Sequence, residues 1–397
     1  MRRTLLCSIL AALIAVAPAS TQAQAAPKKQ TAASKRAAAP AKPATPAVDT
    51  RPRMRRDDTP APVVAAPAAA AVKKKRSAGR KKAPGVAVQK PAETAAPAAR
   101  ATPRDVAACA QARDADLAIG GCTRVIDDKI SKPKARAAAY FNRGNALVTK
   151  GEQDKAIADF DEVIKLEPKN ASAYNNRGNA RNDKGDSDGA IADFDAAIKQ
   201  NARYASAYFN RGNARAAKGE TARAITDYDA AIKYNRRNVN AYIARGALQL
   251  AGGAAAKARA DMKQAARLAP KNTYAVLWQD IAERRAKQKG VLAKEARGRG
   301  TKGLDMKAWP APVIRLYTGE LKTDAVLAAA DNPSATVKTA QLCEANFYSG
   351  EFALIGGGRD EAVKLFQTAA KECPHGFLEG IAAAAELKGL GEKVGAN

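Results

Sequence analysis

Histidine is all but missing from this chain of 397 residues: His375 stands alone. A Ser–His–Asp or Cys–His centre would have to be built on that residue, and no nucleophile is paired with it beside Pro374. Walker A, HExxH, dinucleotide-type glycine and EF-hand patterns are missing as well. Acidic residues are in deficit, 39 Asp and Glu against 67 Lys and Arg, for a formal net charge of +28. The acids that are present fall at repeating positions rather than in one cluster. Apolar runs are short: the run at 5–17 cannot span a bilayer, and nothing after it is long or apolar enough to do so. The cysteines lack the close CxxC pairs that zinc favours. No catalytic residue, metal site or cofactor is expected, and the chain reads as a non-enzyme.

What stands at the start is a leader. Met1-Arg2-Arg3, the apolar run 5–17 and then Ala23-Gln24-Ala25 have the layout of a cleaved secretory signal, so 1–25 is expected to be removed and the mature protein to be periplasmic. A twin-arginine signal is the alternative, on the Arg pair alone. Residues 26–104 are Ala, Pro, Lys and Arg with few large apolar side chains, a composition that cannot bury a core and is expected to be a disordered basic linker. It holds 19 Lys and Arg against 4 Asp and Glu, so +15 of the total, most densely at KKKRSAGRKK (73–82). As a flexible chain it would span roughly 50 Å. Two readings stand for it: a tail that attracts anionic envelope polymers and lipid headgroups without sequence specificity, or a soluble spacer.

From residue 140 to 270 the sequence repeats every 34 residues. Tyr140, Tyr174, Tyr208 and Tyr242 share one register; Gly144, Gly178, Gly212 and Gly246 another; Ala156, Ala190, Ala224 and Ala258 a third. Phe160, Phe194, Tyr228 and Met262 follow in step, as do Gly151, Gly185, Gly219 and Gly253. The unit resembles the tetratricopeptide repeat (TPR), a helix–turn–helix that stacks into a right-handed superhelix with a concave face and mostly binds other proteins. The fold class expected is therefore all-α, with a first helix at about 137–149, a break at Gly151, and a second at about 153–166 ending at Pro168. The glycines of IGGGRDEA (355–362) fall where such a unit turns, not in a phosphate cradle. Arg143, Arg177, Arg211 and Arg245, one residue before each helix glycine, face Asp159, Asp193, Asp227 and Asp261 in the frame. They read as a ladder of Arg–Asp pairs between packed helices.

In this family the first helix of each unit lines the groove, and the contact positions fall on Asn142, Asn145, Asn176, Asn179, Asn210 and Asn213. A carboxamide both donates and accepts, so an Asn ladder can bond the backbone of an extended peptide whatever its side chains. Phe141 and Phe209 would add apolar contacts. The other reading has these Asn only solvating the groove or capping helices. Ala244 and Ala247 replace the pair in the fourth unit, so the ladder should end near Asn213. Members that clamp a C-terminal carboxylate need Lys before the first Asn; Phe141, Asn175, Phe209 and Ile243 stand there, against a clamp.

The array continues at both ends. Ala118, Cys122 and Val125 mark a degenerate unit at 105–136 before the four repeats of 137–272. Within 273–397, Gly350, Ala362, Phe366 and Pro374 reproduce the spacings of a further unit at about 343–376, followed by a capping helix at 378–390. A shorter helix pair is expected around 309–330, and a basic loop at 286–304. The stretches WPAPVIRLYTGEL, CEANFYSGEFAL and AAAAELKGLG are similar to the C-terminal half of NlpI-like periplasmic TPR proteins, envelope adaptors that hold a protease or a cell-wall hydrolase. Those are lipoproteins, and Cys7 lies too early for a lipobox. Cys109, Cys122, Cys343 and Cys373 remain after the leader. In the repeat frame Cys109 faces Cys122, while Cys343 opens one helix and Cys373 ends its antiparallel neighbour, so disulfides 109–122 and 343–373 are expected in an oxidising compartment; four free thiols are the alternative. The function implied is an exported adaptor or scaffold that binds envelope proteins or peptide segments. The competing reading is a polyanion-binding envelope protein that acts through its basic tail, with the repeats as an oligomerisation platform. No sequence-specific nucleic-acid contact is expected.

Overall fold

The turn glycines set the repeat. Gly151, Gly185, Gly219 and Gly253 all have positive φ, between 74° and 86°, a conformation that residues with a Cβ rarely adopt. Each ends one helix and lets the chain reverse. In this computed structural model residues 100–394 are described, apart from 112, 113, 129, 293–300 and 302. The leader expected at 1–25, nearly all of the basic segment 26–104 and part of the loop at 286–304 lie outside the described residues.

Among the described residues all regular structure is helical. A short pair, α1 (Pro103–Cys109) and α2 (Ala115–Asp127), precedes four helix pairs: α3 (Pro133–Thr149) with α4 (Gln153–Leu166), α5 (Ala171–Asp183) with α6 (Ser187–Gln200), α7 (Ala205–Ala217) with α8 (Thr221–Tyr234), and α9 (Val239–Ala251) with α10 (Ala255–Leu268). After them come α11 (Thr273–Arg285), α12 (Ala311–Tyr317), α13 (Thr323–Ala329), α14 (Ala335–Ile355), α15 (Arg359–Glu372) and α16 (Leu378–Gly389). From α1 to α11 each helix packs on the next.

Within each unit the small and large positions mesh. A Cβ at Gly144 would lie 2.8 Å from the Phe160 ring, and one at Gly350 would lie 2.7 Å from Phe366. The unit at α14–α15 therefore uses the same close approach as the regular ones. α1 begins at Pro103, just inside the segment read as linker, because Thr102 and Asp105 cap it reciprocally: Asp105 N donates to Thr102 Oγ1 at 3.2 Å and Thr102 N to Asp105 Oδ2 at 2.9 Å. α14 corrects the sequence reading more strongly. It starts at Ala335, so Cys343 lies inside the helix rather than opening it. α14 packs on α12 and α13 as well as on α15. Sγ of Cys343 is still 2.00 Å from that of Cys373, and Sγ of Cys109 is 2.08 Å from that of Cys122.

The Arg–Asp ladder does more than pair two helices of one unit. Arg143 donates to Asp159 from Nε at 2.8 Å and Nη2 at 2.7 Å. Arg177 holds Asp193, Arg211 holds Asp227 and Arg245 holds Asp261 in the same way. The remaining Nη1 reaches back to the preceding unit: Arg177 to Asp161 at 2.5 Å, Arg245 to Asp229 at 2.5 Å, and Arg211 to Asp195. Arg143 has only the degenerate unit behind it and donates instead to Thr123 Oγ1 at 3.0 Å. Each guanidinium also lies over its unit's tyrosine, as Arg177 does over Tyr174 at 5.6 Å. One side chain thus fixes both the fold of its unit and that unit's seat on the last.

Arg177→Ala would leave Asp193, 3 % exposed, with Arg181 as its one remaining cation. The expected loss is about 3–5 kcal/mol, read as a lowered urea midpoint, with Arg177→Lys restoring little because a point charge cannot make the three directed contacts.

Candidate functional site

The first helices α3, α5 and α7 lie side by side and bring their asparagines into one line. Asn210 Nδ2 donates to Asn175 Oδ1 at 3.0 Å, Asn175 Nδ2 to Asn176 Oδ1 at 3.1 Å, and Asn176 Nδ2 to Asn145 Oδ1 at 2.8 Å. Four side-chain amides are thereby connected across three units. The sequence reading set Asn145, Asn176 and Asn210 here as separate ligands for a peptide; in the structure they are bonded to one another first. Each amide has two N–H groups and two lone pairs, so Asn145 keeps both N–H groups and Asn176 keeps one.

Asn175 was missed as a member. It is 4 % exposed and bridges its neighbours from beneath. The signal was present: an Asn at a position where the other units carry Phe141, Phe209 and Ile243. Asn179 is half-buried with no side-chain hydrogen bond among the described residues. Asn213 Oδ1 accepts from the Tyr228 hydroxyl at 2.9 Å, and Asn142 Nδ2 stands 4.0 Å from Cys109 Sγ. Phe141 is half-buried, edge-on to Phe160 at 6.0 Å. Phe209 is 6 % exposed and packs on Tyr228 at 5.8 Å, so its ring belongs to the chain's own core and is not open to a partner.

What covers the fourth unit is the chain itself. Leu378, Ile381 and Ala385 of α16 pack against the cluster of Phe209, Tyr228, Ala244 and Leu248. The approach to α9 is close: a Cβ at Gly389 would stand 2.5 Å from the Ala251 carbonyl oxygen. Ala244, in place of asparagine, is apolar because a helix sits on it. The turn before α16 carries Gly376 to Asn182 on α5 and brings His375 near Asp183. Burial raises the Asp183 carboxyl above its usual range, and the histidine's charge opposes the rise.

Buried carboxyls hold α16 from the other side. The Tyr348 hydroxyl donates to Glu379 at 3.0 Å. Arg285 bridges Glu351 at 2.9 Å and Glu386 at 3.2 Å. Glu344 accepts from Tyr274 at 2.9 Å and from the Trp309 indole at 2.7 Å. Burial, reinforced by the charge of Glu379, pushes Glu344 up to about 8. Burial and the charge of Glu386 do the same to Glu351, against the pull of Arg285. Among the described residues no cluster of His, Cys, Asp and Glu is arranged to hold a metal ion, and no helix is long and apolar enough to cross a membrane.

The TPR repeat family profile matches residues 144–185, 178–219 and 212–253, a stretch that carries the amide line and the Arg177–Asp193 and Arg211–Asp227 rungs of the ladder. Residues 144–253 are tetratricopeptide repeats, and repeats of this kind are scaffolds for binding proteins and peptides. Similar solved structures include residues 41 to the end of MamA from Desulfovibrio magneticus RS-1, at 17 % identity over 42 % of this chain and 93 % of that one, with a TM-score of 0.38. YrrB, described as a TPR protein with an unusual peptide-binding site, is 20 % identical over 51 % of this chain and 100 % of its own, with a TM-score of 0.37. The first TPR of Spaghetti (RPAP3), bound to the HSP90 peptide SRMEEVD, is 28 % identical over 26 % of this chain and 83 % of that one, with a TM-score of 0.26.

The buried carboxyls have a consequence for stability. An unfolded Glu releases its proton near 4.3, whereas Glu344 and Glu351 keep theirs to about 8. Between those values the folded chain holds protons that the unfolded chain has lost. Stability therefore falls as pH rises through that window, by about 1.4 kcal/mol per pH unit for each such proton, and levels above it. Thermal melts from pH 5 to 9 should show the decline, and Glu344→Gln should make it shallower.

Proposed function

We propose that this protein is an exported adaptor that holds an extended segment of a partner protein along the amide line of α3, α5 and α7. The observation that carries this reading is the connected set Asn145–Asn176–Asn175–Asn210 with N–H groups left over. Hydrogen bonds within the set fix the amides in place before any peptide arrives, which lowers the ordering cost of binding. Asn142 and Asn179 flank the line, and Phe141 offers part of its ring beside it. Seating of α16 on the fourth unit confines the segment to the earlier units.

Export is supported by the leader-like start and by two cysteine pairs at disulfide distance, which suit an oxidising periplasm. Resemblance to NlpI-like proteins makes an envelope protease or a cell-wall hydrolase the class of partner to seek. The second reading, an anionic envelope polymer taken up by the basic tail 26–104 with the repeats as oligomerisation platform, is favoured by the tail's +15 charge.

The two readings separate in a pull-down from envelope extract with the mature protein, run at low salt and again at about 150 mM, where charge-driven binding weakens steeply. A groove partner should survive the salt and be lost from the Asn145→Ala, Asn176→Ala, Asn179→Ala variant. Once a client segment is in hand, Asn175→Ala should weaken it by about 1–3 kcal/mol, roughly 5- to 150-fold in Kd, although Asn175 is buried. Equal capture by the wild type and the triple variant would rule the groove out.

A further inference from the structure

The repeat array has a second feature in register, on the edge where each second helix ends and the next unit begins. Lys165, Lys199, Lys233 and Arg267 occupy the last turns of α4, α6, α8 and α10. Lys169, Arg203, Arg237 and Lys271 recur in the turns that follow, and Arg236 adds a further cation in one of them. All of them are exposed.

Their partners separate these cations from most others of the array. Arg143, Arg177, Arg211 and Arg245 are bound to aspartates, and Lys150, Lys184 and Lys218 each meet one on the neighbouring unit. On the edge, Lys165 has Glu162 at 2.5 Å and Lys233 lies over the Tyr234 ring at 5.6 Å. Lys199, Arg203, Arg236, Arg237, Arg267 and Lys271 make no ion pair among the described residues.

The acids of the first unit also thin out along the row, although Asp161 recurs as Asp195 and Asp229, each bound to the next unit's arginine. Glu162 is replaced by Ala196, Ala230 and Gln264, and Glu167 by Asn201, Asn235 and Ala269. A helix C-terminus favours a cation in its last turn, which accounts for Lys199, Lys233 and Arg267. It does not account for Arg203, Arg237 and Lys271, which lie outside the helices, nor for the loss of the acids.

We propose that this edge is a docking surface for a linear polymer bearing a phosphate at every repeat, bound lengthwise through those phosphates. The cations recur in register in four successive units, so the edge offers a line of charge along the stack. Arginine forks match phosphate oxygens in pairs. The face of a folded protein mixes both signs, whereas a polymer charged at each repeat matches a row whose recurring aspartates are already held by arginines. A membrane surface would call for apolar side chains beside the cations, and Tyr234 is the one exposed large apolar residue on this edge. The proposal does not rest on the groove reading.

The test titrates the full chain with labelled long-chain inorganic polyphosphate, between about 50 and 200 mM salt. Polyglutamate of equal length and phosphatidylglycerol vesicles serve as comparators. Wild type is compared with an edge variant (Arg203→Gln, Arg236→Gln, Arg237→Gln, Arg267→Gln), a tail variant (Lys73→Gln, Lys74→Gln, Lys75→Gln) and the groove variant described above. The edge variant should bind polyphosphate at least about tenfold more weakly, with a salt slope reduced by roughly 0.7 per charge removed. The groove variant should bind as wild type, and polyglutamate should bind more weakly than polyphosphate. Should the fourfold variant lose its helical melt, Arg237→Gln alone carries the test through its smaller change in slope. The proposal is overturned if the edge variant binds polyphosphate as wild type does, with loss confined to the tail variant. It is overturned equally if polyglutamate or the vesicles bind as tightly with the same sensitivity to the edge.

Discussion

A guanidinium held between two carboxylates of successive units is what the rest of this molecule rests on. Arg177, Arg211 and Arg245 each grip the buried aspartate of their own unit with two nitrogens and use the third to reach the unit before. A repeat of this size cannot bury its apolar face alone, so its fold and its stacking have to be specified together. The five fixed donors of arginine can do that where lysine could not. Because the fork sets the rotation of each unit on its predecessor, it also brings Asn145, Asn176, Asn175 and Asn210 within hydrogen-bonding distance across three helices. The groove chemistry is downstream of the ladder.

The C-terminal half shows what happens when the ladder is absent. Ser349 and Leu365 stand where the Arg and Asp of the α14–α15 unit would be, and the buried Ser349 hydroxyl finds no hydrogen-bond partner among the described residues. The space is organised by other means: Trp278 against Phe347 at 5.2 Å, and Arg285 between Glu351 and Glu386. Tyr348 and Glu351 occupy the registers of Asn142 and Asn145, so the groove positions of this last unit are filled from inside the chain. α16 then crosses to α9 and covers the fourth unit as well. One end of the concave face is closed by the protein's own helix and the other keeps its amides.

Much of this was legible in the sequence, because a 34-residue period reports its own geometry. Gly144 against Phe160, the turn glycines and Arg143 opposite Asp159 all follow from register. The inter-unit half of the ladder was less visible, since Asp161, Asp195 and Asp229 read as ordinary surface acids until the helices are placed. Asn175 escaped because it occupies a position that is apolar in the other units. The seat of α16 was hinted at by Ala244 and Ala247, but an apolar substitution in a groove does not say what comes to cover it. Cys343 was misplaced within its helix because the unit's spacing gives no sign of the extra turns from Ala335.

The measurement closest to the centre of this account is a spectrum of asparagine side-chain amides by NMR, taken with and without a captured partner segment. The amides of Asn175, Asn176 and Asn210 should be dispersed in the free protein, as bonded groups are. On binding, those of Asn145, Asn176 and Asn179 should shift, while backbone amides of α9 and α16 stay in place. Side-chain amides that stand at solvent positions in the free protein, or a response centred on α9 and α16, would contradict it.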